Sequence, residues 1–191
     1  MDFLTQLWLP ILVSAAAVWF LSALGWMAIG HHNKDMQGLP NEKAFIDFIK
    51  THNIKPGNYG FPDFQKCKTL SKEEREAQIK EMRAGAPMGI LNVWAPFNMA
   101  RNMILTFVTC LVVSVLIAYL GAAAMGFGAG GQPFAKVFQV TGTAGILAYC
   151  FASIPNDIWF QKSPRAMAMC FIDGIVFGLA TGAIFAAMWP K

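Results

Sequence analysis

Apolar residues dominate four long stretches of this chain, and a single polar segment separates the first stretch from the other three. The apolar stretches cover positions 3–29, 102–125, 134–154 and 166–189. Each is about as long as the 20 mostly apolar residues that a helix needs to cross a bilayer. The pattern predicts an all-α membrane protein in which four transmembrane helices form a bundle.

The composition supports a membrane protein. Hydrophobic residues make up 55% of the 191 positions and charged residues only 14%, and the mean hydropathy is +0.45. This is too apolar for an ordinary soluble domain. Helix 1 is expected within 1–30, a polar insertion within 31–95, and helices 2 to 4 within 96–191. The first stretch is expected to be retained, because it lacks a basic leader and exceeds the roughly 7–15 apolar residues of a signal peptide.

Basic residues predict how the chain lies across the membrane. The segment 31–101 and the connection between the third and fourth spans hold 13 of the 15 Lys and Arg residues, which leaves Lys136 and Lys191. Under the positive-inside rule the basic side is cytoplasmic. We therefore expect a cytoplasmic insertion at 31–95, with both termini on the opposite face of the membrane.

The polar insertion has its own local pattern, which predicts a small α(+β) unit. Positions 39–52 carry the apolar stripe of an amphipathic helix. Ser71 and Glu74 form a capping box that starts a second helix. Positions 89–94 have the composition of a strand and are predicted to pair with the segment around Tyr59 as a two-stranded patch.

Several short motifs resemble those of a family of uncharacterised bacterial inner-membrane proteins with four predicted spans. They are HHNKD at 31–35, LPNE at 39–42, YGFP at 59–62, PMG at 87–89, IDG at 172–174 and WPK at 189–191. The resemblance covers nearly the whole chain. It implies a shared architecture and a location in the bacterial inner membrane, in which the outward-facing termini would lie in the periplasm. It transfers no catalytic residue because no activity is assigned to the family.

Asp173 is the one charged residue within the fourth apolar stretch. An ionised carboxylate is costly in hydrocarbon and normally faces a partner or a water-filled cavity. Counting depth from Arg165 predicts hydroxyl partners at Ser22, Thr109 and Tyr149. Three roles stay open: a structural hydrogen bond, a proton- or cation-handling site, and contact with a neighbouring subunit or pigment.

Glycines at every fourth position give the fourth span a smooth face, formed by Gly174, Gly178 and Gly182. Small residues of this kind let two helix backbones approach closely. The third span offers a matching small face at Thr141 and Gly145. We expect intramolecular packing between these two helices, with a homo-oligomer or a cofactor contact as the alternative.

Other polar and aromatic residues are predicted to lie at the membrane borders. Adjacent histidines in a loop usually point apart, so we expect His31 and His32 to be interfacial and to bind no metal. The remaining interfacial candidates are Arg101, Arg165, Trp26, Trp94, Trp159 and Trp189, as expected for aromatic belts and border cations. Four cysteines without metal-ligand spacing indicate neither a metal site nor a disulfide framework.

The sequence contains no recognisable catalytic motif and no concentrated basic stripe, although its net charge is +4. We therefore expect no enzymatic activity, no cofactor and no nucleic-acid partner. The expected partners are the lipid bilayer and other membrane subunits or further copies of the chain. Two functional hypotheses remain. One is an accessory or scaffolding subunit of a larger membrane complex, of respiratory or photosynthetic type, and the alternative is a small proton- or ion-coupled transporter or channel that uses Asp173.

Overall fold

The computed structural model describes residues 2–63, 65–127 and 130–190, and the chain divides into two compact units. The helical unit consists of Met1–Gln37 and Asn98–Lys191, and the insertion unit is Gly38–Phe97. Residues 31–37, which the sequence assigned to the insertion, belong instead to the helical unit. The histidine pair therefore lies with the apolar helices.

The elements of the described chain are mostly helical. In chain order they are α1 (Asp2–Ala23), α2 (Glu42–Thr51), β1 (Gly57–Phe61), α3 (Lys72–Arg83), β2 (Gly89–Val93), α4 (Met99–Met125), α5 (Phe134–Ile146), α6 (Ile154–Trp159) and α7 (Pro164–Met188). Short π-helical turns follow α1 at Leu24–Ile29 and α5 at Leu147–Phe151, and 3-10 turns lie at His31–Lys34 and Lys66–Lys68.

Among the residues that the structure describes, four helical stretches are long and apolar enough to cross a membrane. They are Asp2–Ile29, Met99–Met125, Phe134–Trp159 and Pro164–Met188, and they correspond to the four predicted spans. The third is longer than predicted because the chain stays helical through the second π-helical turn and α6. The fold agrees with the expected all-α, membrane-type architecture.

The helical unit has an apolar core near one end of the bundle. Its members are Leu7, Ile11, Ile117, Ala118, Val137, Phe185 and Trp189, which come from all four spans and from the residue that follows α7. Next to it, Ser114 donates a hydrogen bond to Ser14, and Ser14 donates to Thr181, each over 3.3 Å. All three hydroxyl groups are fully buried. Such pairing satisfies polar groups inside the bundle and links α1, α4 and α7.

The helices α5 and α7 meet backbone to backbone. A Cβ atom added to Gly145 would lie 2.8 Å from Gly178 Cα, and one added to Gly182 would lie 2.8 Å from Gly142 Cα. These separations leave no room for any side chain. The predicted contact of Gly178 and Gly182 with the third span is present. Gly142, which lies next to Thr141 of the predicted small face, is the residue that meets Gly182.

The insertion unit contains the predicted two-stranded patch. The strands β1 and β2 pair antiparallel from Gly57 opposite Val93 to Phe61 opposite Gly89, so this prediction is confirmed. The capping box at the start of α3 is also present: Ser71 Oγ accepts from the Glu74 amide over 3.2 Å, and the Glu74 carboxylate accepts from the Ser71 amide over 2.9 Å. The second bond stabilises the ionised carboxylate and lowers the pKa of Glu74.

Candidate functional site: a histidine–carboxylate cluster

The candidate site lies where the first span ends, and the local backbone conformation positions its first two residues. Gly30 has φ +63°, a conformation that glycine adopts without strain, and its amide donates to Gly25 O over 3.0 Å to close the π-helical turn. The 3-10 turn that follows begins with His31 and His32. A Cβ atom on Gly25 would lie 3.1 Å from His31 Cε1, so the missing side chain makes room for the imidazole ring.

The other half of the site comes from the first turns of α7. Ser163 caps this helix, with its Oγ accepting from the Ala166 amide over 3.2 Å, and Pro164 occupies the first turn. Both residues favour a helix start at this point. Asp173 follows on the same helix, and Arg165 lies about two turns before it.

Asp173 is held by both histidines. His31 Nε2 lies 2.9 Å from Asp173 Oδ1, and His32 Nε2 lies 2.8 Å from Asp173 Oδ2. The side chain of His32 is 1% exposed, whereas those of Asp173 and His31 are 17% and 23% exposed. Each carboxylate oxygen therefore has its own imidazole partner, in a site that is open to its surroundings on the His31 side.

A second carboxylate extends the cluster away from Asp173. His32 Nδ1 lies 2.6 Å from Asp35 Oδ2, and Arg165 Nη1 donates to Asp35 Oδ1. Arg165 also donates through Nη2 to the backbone oxygen of His31 over 2.8 Å. Trp26 stacks on the His32 ring at 4.0 Å and 12°. The imidazole of His32 is therefore fixed on both edges and on one face.

The electrostatics of the cluster favour charged groups. Burial lowers the pKa of His32, but its hydrogen bonds to Asp173 and Asp35 and the charges of these carboxylates outweigh burial, so the pKa is raised. The hydrogen bond from His32 and the Arg165 charge lower the pKa of Asp35. A histidine that faces a carboxylate at each nitrogen can donate from both when it is an imidazolium ion. The carboxylates of Asp173 and Asp35 thus lie on opposite edges of the His32 ring.

The predicted hydroxyl partners of Asp173 were wrong. Thr109 Oγ1 donates to Leu105 O over 2.9 Å on the exposed side of α4, and the Tyr149 hydroxyl is buried beside the hydroxyls of Ser114 and Thr181. Neither of these residues nor Ser22 bonds to Asp173. The depth estimate failed because residues 31–35 lie alongside the first turns of α7, which brings imidazoles to the level of Asp173.

The predicted interfacial residues fall into two groups. Trp26, Trp94 and Trp159 are 51%, 67% and 84% exposed, whereas Trp189 is 6% exposed and belongs to the apolar core. Trp189 packs against Gly121, where the absence of a side chain leaves space for its ring. The prediction that His31 and His32 point apart was also wrong, since both Nε2 atoms face one carboxylate.

A separate ion pair lies on the connection that leads into α7. Lys162 Nζ is 3.1 Å from Asp157 Oδ2 and donates to Cys170 Sγ over 3.3 Å. Burial lowers the pKa of Lys162, but the hydrogen bonds to Asp157 and Cys170 raise it by more. The pKa is therefore raised overall. The Lys162 side chain is 36% exposed, so the pair is weaker than the histidine cluster.

The cluster offers three groups that can coordinate a cation. The Nε2 atoms of His31 and His32 and a carboxylate oxygen of Asp173 lie within 4.8 Å of one another. Two imidazoles and one carboxylate can also exchange protons or act as a purely structural ion-pair network. No protein-family model matches the chain, no curated protein matches it and no solved structure matches it.

Proposed function

We propose that the protein is a non-enzymatic integral membrane protein that serves as an accessory, scaffolding subunit of a larger membrane complex. The observation that carries this proposal is the use of both Asp173 oxygens by His31 and His32. These bonds, together with the bonds from Arg165 to Asp35 and to the backbone of His31, fasten the end of the first span to the fourth. A bundle fixed in this way suits a structural role.

The packing at the opposite end of the helical unit supports the same role. Leu7, Val137 and Phe185 are fully buried there and come from three different spans. A carrier that uses Asp173 would need to open a polar route past these side chains in each cycle. The alternative function, proton- or ion-coupled transport, therefore requires a large rearrangement of a close-packed core.

The outer surface of α4 supports contact with lipid or with another membrane subunit. Large apolar side chains recur on one face of this helix and are about half exposed, namely Ile104, Val108, Val112 and Leu116. Spacing of four residues places them on a single face. In a bilayer such a face is covered by acyl chains or by a neighbouring helix.

We further propose a bacterial inner membrane, because the short motifs from HHNKD to WPK resemble those of bacterial inner-membrane proteins. The basic residues between the spans favour an orientation with residues 31–95 in the cytoplasm and both termini in the periplasm. Cys67 is the cysteine best suited to report on which side of the membrane the insertion lies, since the other three cysteines lie in the apolar helices. We expect a membrane-impermeant maleimide to label Cys67 only after the cells are permeabilised. In a Cys67→Ser background, Lys136→Cys should react in intact cells. Labelling of Cys67 in intact cells would contradict this orientation and indicate the opposite one.

The scaffolding role is tested by mild solubilisation and blue-native electrophoresis. We expect migration well above the 20.9 kDa of one chain, with other membrane proteins identified in the same band. Purified protein in proteoliposomes should carry no proton or cation flux. A lone small species, with a flux that Asp173→Asn abolishes and Cys170→Ser preserves, would contradict scaffolding and favour transport.

A further inference from the structure

We propose that His31, His32 and Asp173 bind one divalent transition-metal ion of the zinc type at the end of the first span. The donor set is two imidazole nitrogens and one carboxylate. This combination binds zinc in several enzymes and non-haem iron in others, because borderline metal ions prefer mixed nitrogen and oxygen ligands. The proposal goes beyond the scaffolding role and does not depend on it.

The distances suit an ion that replaces the present hydrogen bonds. Zinc lies about 2.0–2.2 Å from imidazole nitrogen and carboxylate oxygen, so the ligand atoms around it are separated by about 3 Å or slightly more. In the cluster, the two Nε2 atoms lie 2.9 Å and 2.8 Å from their carboxylate oxygens. Small movements of three side chains would therefore open the space for an ion.

The surroundings of His32 match those of a metal ligand. A ligating histidine almost always donates its second ring nitrogen to a carboxylate or carbonyl, which fixes the tautomer and makes the ligand nitrogen more basic. Asp35 accepts from His32 Nδ1 in this manner, and Arg165 holds Asp35 in place. Trp26 stacks on the ring and limits its rotation. The Nε2 atom is thereby directed at Asp173 and His31.

Charge and access also favour a cation. Asp173 and Asp35 supply two carboxylates close to the ion, and Arg165 balances the outer one. An ion bound here is therefore compensated although His32 is almost completely buried. The partly exposed side chains of His31 and Asp173 mark the side from which an ion can enter.

Two π-helical turns adjoin the cluster, and they are an independent indication that it is a functional site. Leu24–Ile29 immediately precedes the histidines, and Leu147–Phe151 packs against Gly174, the residue after Asp173. A Cβ atom on Gly174 would lie 2.6 Å from Cys150 Sγ and 2.9 Å from Tyr149 O. Single π-helical turns are rare and occur frequently at functional sites.

The experiment uses the full-length protein in detergent after chelation, followed by titration with Zn²⁺ or Co²⁺. We expect one ion per chain and a Co²⁺ spectrum with ligand-field bands but no thiolate charge-transfer band. His31→Ala, His32→Ala and Asp173→Ala should weaken binding by more than about 100-fold, and Asp35→Asn by about 10–100-fold. Two control variants change residues outside the cluster, namely His52→Ala and Cys170→Ser. They should bind the metal ion as tightly as the unchanged protein does.

A variant that acquires a new absorption band distinguishes loss of a metal ligand from loss of the fold, because an unfolded variant would not acquire the band. Asp173→Cys should add a thiolate charge-transfer band to the Co²⁺ spectrum, because sulfur then replaces the carboxylate ligand. The helical content of every variant is checked by circular dichroism. The inference is overturned if the chelated protein takes up no ion, or if the folded alanine variants bind as tightly as the unchanged protein. Absence of the new band in folded Asp173→Cys that still binds Co²⁺ would also overturn it.

Discussion

Asp173→Ala should lower the free energy of unfolding of the chelated protein in detergent by about 3 kcal/mol. Removal of one partner from a buried, hydrogen-bonded charge cluster leaves the other groups desolvated and unpaired, and this cost is larger than the net contribution of the pair itself. In this cluster the change leaves His31 and the almost fully buried His32 without their common acceptor. Chemical denaturation followed by circular dichroism measures the effect.

The matched control for this prediction is Asp157→Ala, which removes the carboxylate that pairs with Lys162 on the connection before α7. Its partner, Lys162, is 36% exposed and can return to water, so the loss should stay below about 1 kcal/mol. Asp173→Asn should fall between the two alanine variants, because the amide keeps one acceptor oxygen. Equal stabilities of Asp173→Ala and Asp157→Ala would show that the histidines do not hold Asp173.

Gly145→Ala should destabilise the helical unit by about 1–3 kcal/mol, the usual cost of overpacking a well-packed interior. The new Cβ would lie 2.8 Å from Gly178 Cα and 3.3 Å from Gly178 O. Both are backbone atoms, which cannot rotate away as a side chain would. The helices α5 and α7 would therefore have to separate. Denaturation in detergent again provides the measurement, together with the yield of folded protein.

Gly142→Ala is the control for the glycine contact, because it lies on the same helix, one turn earlier. Its Cβ would lie 3.6 Å from Gly182 Cα, which is an ordinary van der Waals contact. Alanine also has the higher helix propensity, by roughly 1 kcal/mol in a helix interior. This variant should therefore be neutral or slightly stabilised. Similar losses for Gly142→Ala and Gly145→Ala would contradict the observed pairing of α5 with α7.

Much of the fold could be predicted because the deciding signals are local. Four apolar runs of bilayer length correspond to four long apolar helices. The pairing of β1 with β2 also follows from composition, since few other segments of the insertion favour a strand. The repeat from Gly174 to Gly182 indicated a close helix contact. Gly142, which meets Gly182, was not part of the predicted face of Thr141 and Gly145, because the small residues of α5 do not determine its rotation about the helix axis.

The candidate site could be predicted only in part. Asp173 was identified because a carboxylate in an apolar helix is costly. Its partners were missed because His31 and His32 are more than 140 residues away in sequence and depend on Gly30 to turn the chain toward α7. A positive φ at one glycine and a π-helical turn have no reliable sequence signal. The pair HH followed by Asp35 within a turn was the available clue.

Trp189 illustrates the same limit at the other end of the bundle. A tryptophan at the end of an apolar span is typical of a membrane border. Gly121 on α4 leaves a space that the indole ring fills, so the side chain is buried. The sequence shows each of these residues, but their contact depends on how α4 and α7 pack. Tertiary packing therefore decides between an interfacial and a core position.

The cluster bears on the proposed scaffolding role whether or not a metal ion is bound. It connects the end of the first span with α7 mainly through side chains, together with the bond from Arg165 to the backbone oxygen of His31. A change in its occupancy would therefore alter how firmly these two helices are joined. In a scaffolding subunit this would adjust the stability of the helical unit, and through it the stability of the assembled complex.

The central claim, that Asp173 is held by the histidines at the end of the first span, is tested most directly by a double-mutant cycle. The free energy of unfolding is measured for the chelated protein, for His32→Gln, for Asp173→Asn and for the double variant. We predict a coupling energy of about 1 kcal/mol or more, as expected for residues in one hydrogen-bond network. Additive effects, within about 0.3 kcal/mol, would contradict the account.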